Sequence, residues 1–393
     1  MKHIYLDHNA TTPTHPEVLE AMLPFMTEQF GNGSSIHSYG REARNAIDTA
    51  REQVAELIGA KSPSEIIFTS GGTESDNHAI KGLAELQQSR NGGNHIITSS
   101  VEHHAVLHTC QALEKRGFEV TYLSVDRYGR VGIDDLRDAI RDATILISIM
   151  HANNETGTIQ PLEAICEIAQ EHRIPVHTDA VQSVGKLRVD VQGLGVNMLS
   201  LSGHKIYGPK GIGALYLQRG TRLDNLMHGG SHERNRRPGS ENVPSIVGVG
   251  MAAEIARKNR AADVEHLNRL TDKLRDGLHE KLDNIYENGH PDHCLPGTLN
   301  ISFKYIEGES LILRLDMEGI CVSTGSACTS GSMDPSHVLA ALGISHRLAQ
   351  GTVRFSLGRG NTEAEIDEII EKVPGIVEQM RQMSPAYQKA AKR

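Results

Sequence analysis

The sequence predicts an α/β protein, with a mainly parallel sheet covered by helices on both faces and a smaller α+β unit beside it. Three observations carry this. Six short apolar runs, IIFTS (66–70), HIITSS (95–100), EVTYLSV (119–125), TILISIM (144–150), IPVHTDA (174–180) and MLSLS (198–202), alternate with segments of helical length. After Arg237 the texture changes to long helical pattern and then to scattered short strands. The length, 393 residues, exceeds what one ordinary core encloses.

Taken in order, the first fifteen residues carry the turn formers Asp7, Asn9, Thr11 and Pro13, and EVLEAMLPFMTEQF reads as a helix broken at Pro24. GNGSSIHSYG is a loop. From Arg41 to Ile58 the apolar residues Ile47, Ala50, Val54, Leu57 and Ile58 recur at helical spacing, and Gly59 ends the helix. The alternating strands and helices follow. Beyond MLSLS, a Gly/Pro-rich turn leads into a further apolar run, IGALYL. The stretch 243–282 forms one long helix or two, a bridge between units. The remainder mixes TLNISF, GICVST and TVRFSL with helices, and the final SPAYQKAAKR is expected to fray. The expected division is a large domain over 14–255 and a small one over 1–13 and 256–393.

Composition excludes several function classes. A net charge of −9 and a pI near 6.2 argue against nucleic acid or an anionic membrane as partner, and RNRR (234–237) is the densest basic stretch. Five cysteines, an odd number in a long chain, fit a reducing compartment better than a disulfide framework. MKHIYLDHNATTP has no apolar targeting core, and TILISIM is far shorter than the ~20 residues a membrane helix needs. The expectation is a soluble, cytoplasmic protein.

In a parallel α/β sheet the ligand lies outside the carboxyl ends of the strands. Gly71, Gly72 and Thr73 pass from strand to helix, where free N–H groups suit a phosphate or close a plain turn. His103, with His104 as rival, opens the helix after the next strand and can stack on a ring, relay protons or face water. Asn153, Asn154 and Glu155 end another strand, where an amide binds a ring hydroxyl or closes an Asx turn. Asp179 ends a very apolar strand. It either caps a helix or gains a cationic partner such as a protonated pyridine nitrogen, with Gln182 three residues on within reach of the ring's phenolic oxygen. Lys205 follows Ser202 and His204 at a strand end and is either a solvated surface charge or an imine-forming amine, whereas Lys210 reads as a solvated loop charge. Phosphate cradle, stacking imidazole, amide, anion and amine together are more specific than any one of them.

Among the cysteines, Cys110 and Cys166 lie on apolar helix faces, Cys321 in an apolar run and Cys294 in a polar loop. Cys328 stands in VSTGSACTSGSMDPSHV, a tract of small polar residues that favours an exposed, mobile thiol; an incidental loop cysteine is the alternative. HPDHC (290–294) is a weak metal signal, since it lacks a second ligand pair.

These residues lie in motifs that resemble, in order and nearly end to end, the cysteine desulfurases of the NifS/IscS family: YLDHNATTP, FGNGSSIHSYG, FTSGGTESDN, VEHHAVL, HANNETG, VHTDAVQ, LSGHKIYGPKG, GGSHERNRRPGSENVPSIVG, STGSACTSGSMDPSHV and VRFSLGR. The resemblance implies a pyridoxal 5′-phosphate enzyme of the aspartate-aminotransferase fold that converts L-cysteine to L-alanine and supplies sulfur for iron–sulfur cluster assembly. It implies Lys205 as the Schiff-base lysine, Asp179 on the pyridinium, His103 on the ring face, and Gln182 and Asn154 beside the ring oxygen. Gly72, Thr73, Ser202 and His204 would hold the phosphate, Ser240 the phosphate of the neighbouring subunit in a homodimer, and Arg354 the substrate carboxylate. Lys205 and His103 would move protons and Cys328 would take the sulfur as a persulfide, with a transient iron–sulfur cluster contact there but no resident metal. Gly33, His104 and Ser240 replace a frequent proline, lysine and threonine of the family. The chain stops soon after MSPAYQ, which bears on docking to a scaffold protein, and GGTES, NNETGTI and MDPSHV lean toward the NifS branch. A same-fold aminotransferase or selenocysteine lyase would keep Lys205 and Asp179, but an aminotransferase has no use for Cys328. An assembly protein or a metal binder using HPDHC would need neither.

Overall fold

The structure is a computed structural model, and it describes residues 3–324 and 336–391. Its strands are β1 (Ile4–Tyr5), β2 (Ile66–Thr69), β3 (His95–Ser99), β4 (Glu119–Leu123), β5 (Thr144–Ser148), β6 (Val176–Asp179), β7 (Met198–Ser202), β8 (Gly213–Leu217), β9 (Ile285–Asn288), β10 (Thr298–Phe303), β11 (Ile320–Cys321) and β12 (Thr352–Ser356). A seven-stranded sheet has the order β2-β8-β7-β6-β5-β3-β4. All its strands run parallel except β8, which is antiparallel to both β2 and β7. The short turn from Ser202 to Gly213 leaves no room for a crossover helix, so β8 must reverse direction.

Both faces of this sheet are dry. Ile66, Phe68, Leu199, Leu201 and Tyr216 point into a core shared with the helix Ser38–Leu57 and the first half of the long helix. Their strand neighbours Ile67, Met198, Leu215 and Leu217 point into an opposite core with Ile80, Leu83 and Val106. Period-two side-chain direction turns a continuously apolar strand into a two-faced one. The α/β, mainly parallel architecture expected from the sequence is what the chain forms.

Two local details differ from expectation, and a third decides between the one helix or two left open by the sequence. The helix expected from Arg41 begins at Ser38, because the His37 ring Nδ1 accepts the Gly40 amide (3.3 Å) and caps it three residues earlier. The stretch 243–282 is one helix, Val243–Lys281, of 39 residues. The segment expected to fray instead carries a helix, Pro385–Ala391, whose first position is a proline and whose Tyr387 ring meets that of Tyr305 at 5.5 Å.

The long helix connects the first core, which ends at Ala256, to a second one beginning at Leu267. That core gathers β9, β10 and β12, an antiparallel sheet of order β12-β10-β9, with the helices Gly308–Met317 and Glu363–Met383. Ile4 and Leu6 belong to it as well, since β1 pairs in parallel with β11. Residues 7–12 then run from this second core toward the carboxyl ends of the large sheet, where His8 donates its amide to Ser356 O and Thr12 donates to His204 O.

Candidate active site

Ten of the expected residues, Gly72, Thr73, His103, Asn154, Asp179, Gln182, Ser202, His204, Lys205 and Arg354, line one cavity of about 370 Å³ at the carboxyl ends of β2, β3, β5, β6 and β7. Asn9, Ala10 and Asp76 line it too.

The floor at Gly72 is the start of the helix Gly72–Asn91, with no side-chain cap. A Cβ on Gly72 would stand 2.6 Å from Val181 Cγ2, so only glycine lets the helix amides approach this closely. Three residues past Thr73's turn of helix, the fully buried Asp76 extends beneath the cavity. Burial, then the charge of Asp179, holds the Asp76 carboxyl well above the usual carboxylate range, and its Oδ1 lies 3.5 Å from His177 Nε2. Asp179 accepts the Val181 amide at 2.9 Å, and burial raises it to about 6 against the opposing pull of Lys205. Beneath both lies His177, held neutral by burial with a pKa of about 3, its ring between the Ser148 and Ser200 hydroxyls at 2.9 and 3.0 Å.

His103 caps the helix His104–Glu114 by accepting the Ala105 amide at Nδ1 (3.1 Å), which leaves the ring proton on Nε2. Burial, then Lys205, lowers its pKa to about 4, so the imidazole is neutral. Its rival His104 instead packs against His108 and His337, with centroids 4.7 and 4.9 Å away. Asn153 closes the turn after β5, accepting the amides of Glu155 and Thr156, and this presents Asn154 to the cavity.

Lys205 ends a short helical turn, Gly203–Lys205, that follows Ser202 at the tip of β7. Its Nζ donates to the carbonyls of Asn9 (2.5 Å) and Ala10 (2.8 Å). Gln182 Nε2 donates to the same Asn9 carbonyl at 2.9 Å. Lys210 is exposed. His204 Nδ1 meets Thr11 Oγ1 at 3.1 Å, and burial lowers its pKa to about 4. Arg354, buried on β12, donates from Nη1 to Asn154 O and from Nη2 to Asp7 Oδ1 (2.8 and 2.7 Å). Its Nε has no partner among the described residues.

One expected residue, Ser240, does not line this cavity. Ser240 is exposed and lines a separate recess of about 200 Å³ with Ser70 and Arg237. Cys328 lies outside the described residues, but the flanks of its segment are placed. Ser323 pairs with the Arg354 backbone, and Ser336 Oγ donates to Glu155 Oε2. Cys110 and Cys166 are core residues, with burial raising both thiols to about 12. Within HPDHC the rings of His290 and His293 meet at a tilt, their centroids 4.6 Å apart, and the Cys294 thiol donates to Thr156 O. Among the described residues no group of three His, Cys, Asp or Glu is arranged to hold a metal.

The sequence offers Asp7 and Asn9 only as turn formers and gives no role to Asp76 or Lys186. Asp76 had a signal, because it lies three and four residues after Thr73 and Gly72 and so on the same helix face.

The donor set fits pyridoxal phosphate. The uncapped helix start suits its phosphate, the buried Asp179 suits its pyridinium, and Lys205 suits its aldehyde. The model of the aminotransferase class-V family matches residues 4–369. The chain is 56% identical to "Cysteine desulfurase IscS" of Methanosarcina thermophila over 98% of its length and 94% of the relative's. It is 53% identical to the protein of that name from Dictyoglomus turgidum, over 98% of each. Among solved structures, a "NIFS-like protein" superposes with a TM-score of 0.90 at 41% identity, covering 96% of this chain and 99% of that one. "SspA in complex with cysteine" does so with a TM-score of 0.79 at 42% identity, covering 91% and 99%. The chain belongs to the aminotransferase class-V family, in its cysteine desulfurase branch of NifS/IscS type.

Proposed function

We infer that the chain is a pyridoxal-phosphate-dependent cysteine desulfurase, which transfers sulfur from L-cysteine to Cys328 and leaves L-alanine. The observation that carries this is the convergence of Lys205, Asp179, His103 and the uncapped helix start on one cavity. When bound there, the cofactor supplies an electron sink for carbon–sulfur cleavage. Gly72, Thr73, Ser202 and His204 would hold its phosphate, Asp179 its ring nitrogen, Gln182 and Asn154 its ring oxygen, and His103 its ring face. Arg354, pinned by Asp7, turns its remaining donors to the substrate carboxylate.

Cys328 attacks the substrate sulfur as thiolate. The S–S bond forms as the Cβ–S bond breaks, and the electron pair left on carbon is protonated to give alanine. Lys205 and the Nε2–H of His103 deliver the protons, a role supported by their position on the cavity wall. The flanks of the Cys328 segment, anchored on Arg354 and Glu155, support its reach to the cavity.

The enzyme works as a homodimer in which Ser240 completes the neighbouring phosphate site, a reading supported by its exposure away from its own cavity. Its sulfur goes to an iron–sulfur scaffold or another acceptor in the cytoplasm. No described helix is long and apolar enough to cross a membrane.

Two variants test the reading. Lys205→Ala abolishes the visible absorbance that L-cysteine shifts. Cys328→Ala keeps that absorbance and releases no sulfide; full sulfide release by this variant would overturn the assignment.

A further inference from the structure

Cys328 falls between Ser323 and Ser336, and both of these residues are tied to residues at or beside the active-site cavity. Ser323 exchanges backbone hydrogen bonds with Arg354, donating to its carbonyl at 3.3 Å and accepting its amide at 2.6 Å. At the other end Ser336 caps the helix His337–Ala341, its Oγ accepting the amides of Val338 (3.1 Å) and Leu339 (3.3 Å). A hydroxyl has two lone pairs and one proton, so with both lone pairs committed the proton must find an acceptor elsewhere. It goes to Glu155 Oε2. Glu155 is a buried carboxyl, which burial raises and which Ser336, His337 and Arg354 pull back. Burying an acid is unfavourable where an apolar side chain would not be. The backbone around it is fixed from both sides. The Glu155 amide donates to Asn153 Oδ1 (2.9 Å), its carbonyl accepts from Asn300 Nδ2 (3.1 Å), and the neighbouring Asn154 carbonyl accepts from Arg354 Nη1 (2.8 Å). One residue past Ser336, His337 Nε2 donates to the Glu102 carbonyl at 2.9 Å, and Val338 and Leu342 then pack on Val101.

We propose that Glu155 is a positioning residue for sulfur transfer, fixing the carboxyl-terminal end of the Cys328 segment to the turn that presents Asn154. The inference rests on the reading of Cys328 as the sulfur acceptor. Glu155 does not line the cavity, so it acts through the residues it holds and not on the substrate itself. Attack on the substrate sulfur needs thiol and substrate in one geometry, and a misplacement of ~1 Å slows such a step by roughly a hundredfold. Two short stretches serve both partners. Residues 101–103 carry His103 on the cavity wall and, through Val101 and Glu102, hold the helix His337–Ala341. Residues 153–155 carry Asn154 on the same wall and, through Glu155, hold Ser336. The packing on Val101 and the bond from His337 do not involve the Glu155 side chain. Removing that side chain therefore leaves the helix attached and loosens its first turn, where the Cys328 segment joins it.

The test compares Glu155→Ala, Ser336→Asp and Ser336→Thr with wild type. Aspartate keeps the helix cap but, ionised, has no proton to give and sets a second carboxylate against Glu155; threonine keeps both cap and proton. In the protein without cofactor, amide hydrogen exchange of the peptide 336–344 should be roughly tenfold faster in Glu155→Ala and Ser336→Asp and near wild type in Ser336→Thr. In protein loaded with pyridoxal phosphate, a single turnover of L-cysteine should form the Cys328 persulfide roughly tenfold or more slowly in the same two variants, read by alkylation and peptide mass spectrometry. The shift of the visible band on adding L-cysteine, and its concentration dependence, should stay at wild-type values, which a general loss of structure would not allow. Ser336→Asp carries the test where Glu155→Ala does not fold. Unchanged exchange in the folded variants overturns the anchor, and faster exchange with an unchanged persulfide rate overturns its part in sulfur transfer. A wild-type protein that forms no persulfide at Cys328 sinks the sulfur-acceptor reading instead, and the exchange arm still decides whether Glu155 anchors the segment.

Discussion

Arg354 shows how much of the site depends on one held side chain. Its ion pair to Asp7 and its bond to the Asn154 carbonyl fix the plane of a guanidinium that is otherwise buried in the cavity wall. Replacing it by lysine keeps the charge and loses the fork. Arg354→Lys should raise KM for L-cysteine by roughly tenfold or more while the visible cofactor band stays intact; an unchanged KM would remove it from the substrate site. His177 sets a second expectation. Its folded pKa of about 3 lies below the ordinary ~6.5, so the unfolded chain takes a proton in that window which the folded protein refuses. The stability that its neutral ring contributes is complete above about pH 6.5 and is lost as pH falls, by ~1.4 kcal/mol per unit. Relative to wild type, His177→Gln should therefore show a flatter fall in urea midpoint between neutral and mildly acidic pH, and parallel curves would refute this. The residues just past the strand ends were legible because parallel sheets put ligands there. Asp76 was not, because GGTESDN looks like solvated helix sequence until tertiary packing buries it.

At the scale of elements, two close approaches carry the architecture. The helix Gly72–Asn91 meets the cavity only because position 72 has no Cβ, and the long helix meets Ser38–Leu57 at Gly250, where a Cβ would stand 2.6 Å from Ala50. Gly72→Ala should weaken pyridoxal phosphate binding by roughly tenfold to a hundredfold, measured by titration of the visible band, since overpacking costs about 1–3 kcal/mol. Gly250→Ala should lower stability in urea by a similar amount, about 1–3 kcal/mol, with cofactor affinity unchanged. Loss of cofactor affinity in Gly250→Ala, or none in Gly72→Ala, would separate the two contacts wrongly. The strands and their order of occurrence were readable from apolar runs, but the reversal of β8 was not, because direction follows from connection geometry rather than from composition. The helix start at Ser38 escaped for a similar reason, since a histidine is an unusual cap.

The whole molecule is organised around a large sheet with a core on each face and a smaller unit with its own core, joined by one long helix, with the cavity beside the segment that returns from the smaller unit to the large sheet. The proposed homodimer would add a second chain to that plan through Ser240. Because it stands exposed and outside its own cavity, mixing Lys205→Ala with Ser240→Asp subunits should generate mixed dimers with one intact site. Recovery of cofactor affinity and sulfide release on mixing, measured after subunit exchange, is the expected result. Activity no greater than the sum of the separate variants would place Ser240 outside the shared site. The division into a sheet-rich large unit and a smaller α+β unit was visible in the change of texture after Arg237. The return of residues 4–6 into the second core was not, since Ile4 and Leu6 carry no mark of so distant a partner.

That return has a consequence for biosynthesis. Asn9 donates its amide to Ser356 and Asp7 grips Arg354, each across 347 positions, while the same stretch supplies the carbonyls that hold Lys205. On the ribosome, then, the peptide made among the first must wait for strands made almost last. A nascent chain halted after the large sheet would display Lys205 without the scaffold that aims it, and cofactor capture becomes a checkpoint that only a finished polypeptide passes.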